Sequence, residues 1–110
     1  MSKIERSFKG DFEYYLIKIE NGMLNTEVPT SIAEISDFTS GDSRCSVRVF
    51  EHCGYKGLNN ISMNVTMFQG ADGMIQLSAV TSGGIDVAVK KFNIYNEDIF
   101  LDKIIEIVDK

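Results

Sequence analysis

The chain has 110 residues, 44% apolar and 25% charged, with one proline and no tryptophan. At this length a single hydrophobic core buries roughly two-thirds of the unfolded surface, so one domain over 1–110 is expected without disulfides or a structural metal. Sixteen acidic against eleven basic side chains give net charge −5. That balance excludes a nucleic-acid partner, because non-specific affinity comes from Lys and Arg neutralising phosphates and the longest basic cluster is Lys90-Lys91.

Residues 3–9 form a short alternating run with Ile4, Arg6 and Phe8 on one face, an expected edge strand that Gly10 ends. Asp11 is placed to cap a helix whose apolar face is Phe12, Tyr15, Leu16 and Ile19, with Gly22 as its C-terminal stop after Asn21. Residues 23–30 hold Pro29 and read as a connection. Residues 31–38 read as a strand in which Ile32 and Ile35 fall out of alternation. After the turn 39–42, residues 44–52 make a strand with Cys45, Val47 and Val49 on one side and Ser46, Arg48 and Phe50 on the other. A turn at 54–57 leads to a strand carrying Ile61, Met63, Val65 and Met67, and 70–73 is the next turn.

Residues 74–81 place Ile75, Leu77 and Ala79 on one face. Gly83-Gly84 then gives a hairpin signal, since both central positions of a type I′ turn need positive φ, and Ile85, Val87 and Val89 start a return strand. The last element is a helix capped by Asn96, with Glu97 and Asp98 favourable to its dipole and Leu101, Ile104, Ile105 and Val108 turned inward. The expected order is β-α-β-β-β-β-β-α: an α+β fold with an antiparallel sheet of five or six strands and two helices on one face.

No stretch approaches the roughly 20 apolar residues that span a bilayer. The charged start, Ser2-Lys3-Ile4-Glu5-Arg6, lacks the apolar region of a signal peptide, so a cytoplasmic setting without a membrane partner is expected. Cys45 and Cys53 lie eight residues apart in what reads as one strand, about 26 Å at ~3.3 Å per residue, too far for a disulfide. His52, the single histidine, precedes Cys53, but adjacent strand residues point to opposite faces. A catalytic Cys-His pair is therefore disfavoured, as is a metal site, because two Cys and one His at these spacings match no zinc pattern. The sequence leans away from an enzyme and names no cofactor.

Two features remain as binding candidates. Thr81-Ser82-Gly83-Gly84 combines hydroxyls with glycine N–H groups that can cradle an anion, although no P-loop or dinucleotide spacing surrounds it. Arg48 alternates onto a face with Ser46, Phe50 and His52, and Asn64, Thr66 and Phe68 are assigned to the same side; if helices leave that side open, it is a surface for a ligand or a second subunit.

Arg44-Cys45-Ser46-Val47-Arg48-Val49-Phe50-Glu51, Asn64-Val65-Thr66-Met67-Phe68-Gln69 and Ser78-Ala79-Val80-Thr81-Ser82-Gly83-Gly84 resemble a family of small uncharacterised proteins of Gram-positive bacteria, from Phe8-Lys9-Gly10-Asp11 to Phe100-Leu101-Asp102-Lys103. The resemblance implies a single-domain bacterial cytoplasmic protein and brings no activity, cofactor or site residue with it. The residues point first to a non-catalytic binding or assembly module, homo-oligomeric through a sheet face or edge around Arg48, Phe50 and His52. The alternative is a small-ligand or anion-binding domain, or a weak enzyme, with a pocket between sheet and C-terminal helix rimmed by Arg48, His52, Ser82, Gly83 and Gly84.

Overall fold

The computed structural model describes residues 2–26, 29–52, 60–83 and 97–109. Its elements are β1 (Ser2–Lys9), α1 (Phe12–Leu24), β2 (Thr30–Ser40), β3 (Ser43–His52), β4 (Ile61–Gln69), β5 (Met74–Gly83) and α2 (Glu97–Val108). All five strands join one antiparallel sheet in the order β1-β5-β4-β3-β2, with β4 central. This is the α+β class expected, with a helix near each end of the element order. The return strand expected over 85–89, the second glycine of its hairpin and the Asn96 cap lie outside the described residues.

Neighbouring strands from β2 to β5 pair with one another, with short turns at 41–42 and 70–73; Cys53 and the turn expected at 54–57 lie outside the described residues. The β4–β5 turn is held by Gly73 N–H donating to Gly70 O (3.1 Å) and Met74 N–H to Asp72 Oδ1 (3.0 Å). Gln69 Nε2 donates to the carbonyls of Gly10 (3.0 Å) and Gly73 (2.9 Å), fastening this turn to the β1–α1 corner. β1 reaches the far side by pairing Ser2 with Thr81 and Lys9 with Met74 along β5.

Both helices pack on one face of the sheet. Ile61, Met63, Val65 and Met67 of β4 and Ile75, Leu77 and Ala79 of β5 are buried there against Phe12, Leu16, Ile19 and Met23 of α1 and Phe100, Leu101, Ile104 and Val108 of α2. Strand alternation of period two and helical spacing of three or four thus meet in one core. Asp11 occupies the α1 cap position without a side-chain bond to the helix. Gly22 does not stop α1, which runs on to Leu24. A Cβ at Gly22 would stand 2.5 Å from Ile107 Cδ1, so the missing side chain lets α2 lie close against the body of α1.

Strand β2 explains its own irregular pattern. Ile32 pairs with Phe50 and Ile35 with Arg48, while Glu34 pairs with Val49, so Ala33 is the extra residue of a β-bulge. The bulge returns Ile32 and Ile35, three residues apart, to the same face.

Candidate functional site

The register separates the residues that the sequence reading joined. Ser46, Arg48, Phe50 and His52 pair with Met67, Val65, Met63 and Ile61 and are buried on the helix-covered face. Asn64, Thr66 and Phe68 point to the opposite face, next to Ser82, Val80, Ser78 and Gln76. The side carrying Arg48, Phe50 and His52 is therefore not the open one. The apolar sets of β4 and β5 decide the matter: they have only one polarity to offer the helices, and β3 must follow their phase even though its valines then face outward.

The inward-facing Arg48 and His52 are both matched. Arg48, its side chain 7% exposed, forms a two-pronged bond to Asp37 (Nη1 to Oδ1 2.9 Å, Nη2 to Oδ2 3.4 Å) and donates from Nε to Glu20 (3.3 Å) and from Nη1 to the Val47 carbonyl (3.0 Å). The Arg48 and Ser46 bonds hold the Asp37 carboxyl below the usual carboxylate range. Burial works against the Arg48 charge, but Asp37 and then Glu20 more than offset it and its pKa is raised. His52 donates from Nδ1 to the Pro29 carbonyl (2.9 Å) and tilts against the Phe100 ring, which ties the entry of β2 to the core. These three side chains brace the fold between α1, β2 and α2.

The glycine-hydroxyl motif is divided as well. Thr81 is buried and donates to the Ser2 carbonyl (3.3 Å), whereas Ser82 faces outward and shares a 2.9 Å hydrogen bond with Ser62. Gly83 has φ +92° and a Cβ there would meet the Asn60 carbonyl oxygen at 2.6 Å, so only glycine fits. Gly83 and His52 stand at one level of the sheet with Ile61 between them, and Ser82 is on the face opposite Arg48. Gly84 is outside the described residues. Phe50, Phe100, Leu101 and Ile104 belong to the one buried core cluster on the helix-covered side.

The open face is the remaining candidate. Cross-strand pairing sets it out in rows: Lys3, Val80, Asn64, Val49 and Glu34; then Glu5, Ser78, Thr66, Val47 and Ser36; then Ser7, Gln76, Phe68, Cys45 and Phe38. Val47, Val49, Val80 and the free thiol Cys45 are half-buried, while Phe68 is 41% and Phe38 63% exposed. Two shallow cavities flank Phe68, one of about 350 Å³ towards Glu5, Ser7 and Gln76 and one of about 200 Å³ towards Cys45 and Phe38. Neutral hydroxyls and amides fill the spaces between apolar groups, as in the 3.0 Å bond from Thr66 Oγ1 to Asn64 Oδ1. The signal in the sequence was the alternating apolar set Cys45, Val47 and Val49 of β3, which comes to the open face once β4 and β5 fix the phase.

Asp98 in the first turn of α2 accepts from Ser2, and Asp109 just beyond its end binds Arg6 (3.1 Å), so they fasten the β1 edge. Asp109 raises the Arg6 pKa, first through the hydrogen bond and then through its charge. Among the described residues, no helix is long and apolar enough to cross a membrane. No curated protein matches this sequence. A family of unknown function, DUF6054, matches it across residues 1–110, and the chain belongs to that family.

Proposed function

We propose that this chain is a non-catalytic assembly module of the bacterial cytoplasm that associates with itself through the helix-free face of its sheet. The observation that carries the reading is the apolar strip of that face, Phe38, Phe68, Val47, Val49 and Val80, which no described helix covers. Exposed strips of this kind on soluble domains mark interaction sites. The β2 edge is the weaker candidate for the contact, because the Ala33 bulge interrupts its outward ladder and Glu34 and Asp37 add charge. Native mass spectrometry of the protein as isolated is the test. A dimer without added mass is the expected result. A monomer carrying a reproducible small-molecule adduct would move the function to ligand binding, and a bare monomer across the working concentration range would overturn self-association.

A further inference from the structure

Building on that reading, we infer that two copies of this chain pack open face to open face about a two-fold axis running along β4. A two-fold axis in the plane of the interface and parallel to the central strand carries a twisted sheet onto one of the same twist. The two surfaces then nest at uniform spacing, the aligned mode of sheet packing with layers about 10 Å apart. β4 is the middle strand of five, so this axis lays β1 of one copy over β2 of the other and β5 over β3.

The register determines what would then meet. Lys3 and Glu34 stand at the two ends of the same cross-strand row, with Val80, Asn64 and Val49 between them. Reversal of the row places Lys3 over the partner's Glu34 and Glu34 over the partner's Lys3, two ion pairs of opposite sign from one symmetric operation. The same reversal sets Val80 on the partner's Val49 and Val49 on the partner's Val80. Phe68, projecting from the central strand, meets the partner's Phe68. Charge and apolar groups thus complement themselves along one row, which the other rows neither contradict nor require: Glu5 falls over the partner's Ser36, and Ser7 over the partner's Phe38. Lys3 already makes a 3.2 Å contact with Glu5 on the exposed surface, which leaves it positioned at the rim. Five strands about 4.8 Å apart and some eight residues long present about 600 Å² per copy. The resulting total of about 1,200 Å² is at the lower end of specific interfaces, consistent with a reversible dimer.

The experiment is sedimentation of the full chain and of paired variants, with far-ultraviolet circular dichroism confirming that each is folded. Lys3→Glu and Glu34→Lys should each raise the dimer dissociation constant about tenfold at low salt, and the double exchange should restore it to within about threefold. Phe68→Asp and Phe68→Lys should each be monomeric at concentrations where the parent is dimeric, and an equal mixture of the two should form a heterodimer. A dimer indifferent to all these changes would overturn this geometry while leaving self-association standing. Weakening without rescue, in either the charge exchange or the mixture, would likewise overturn the alignment. A parent that is monomeric throughout would remove the assembly reading itself.

Discussion

The two faces of β3 differ less in composition than in what surrounds them. One presents Ser46, Arg48, Phe50 and His52, the other Cys45, Val47, Val49 and Glu51, and on hydropathy alone the second set belongs inside. The helices nevertheless cover the first, because Met63, Val65, Leu77 and Ala79 on the neighbouring strands leave no other phase. A buried arginine is accepted where its charge is answered from two elements, Glu20 of α1 and Asp37 of β2. On the other face Val47, Val49 and Val80 stay half-buried, and no described helix covers them. A strand's burial is therefore decided by its sheet, and a polar residue on the winning face is kept only with its partners.

The contrast is broken most severely at its aromatic positions. Phe50 is fully buried and Phe68 is not, so Phe50→Ala should cost about 3–5 kcal/mol in chemical denaturation while Phe68→Ser stays within about 0.5 kcal/mol for the isolated chain. Equal losses would show that the open face is as much a core as the covered one. A smaller effect is expected at Arg48. Arg48→Ala removes a buried stem and both ion pairs, but Glu20 and Asp37 regain water, so about 1–3 kcal/mol is expected instead of the larger penalty of stranding a buried charge. The same pair sets an acid limb. Because the folded-state pKa of Asp37 is lowered, its contribution is complete above the ordinary carboxylate range and is lost as pH falls through about 4 and then through the lower folded value. The step is small, since the Asp37 side chain is 54% exposed, and comparing acid titrations of the parent and Arg48→Ala should show it flattened in the variant.

The fold class could be read from the sequence because its signals are local. Leu101, Ile104 and Val108 repeat at helical spacing, and Ile61 to Met67 and Ile75 to Ala79 alternate without a break. The candidate site was less legible. Arg48 looked like a surface residue because Glu20 and Asp37 are distant in sequence, and nothing within β3 announces that β4 will fix its phase. Gly22 looked like a helix end because the neighbour that requires a glycine there, Ile107, belongs to another helix. Ile32 and Ile35 appeared irregular because a bulge is visible only against its partner strand. In each case the missing information is a contact made by a residue remote in the chain.

The pairing of β1 with β5 has a kinetic meaning. β2 to β5 can zip through neighbouring hairpins, whereas pairing β1 with β5 closes a long loop from Lys9 to Met74, whose entropy must be met before any contact compensates it. The expected order is therefore the meander first and β1 late, together with the Arg6–Asp109 clasp that holds α2 over the same edge. Until then β5 is a bare edge. Weakening the late contacts, as in Ile4→Ala, should quicken unfolding in stopped-flow experiments far more than it slows folding; an equal division between the two rates would place β1 in the nucleus instead.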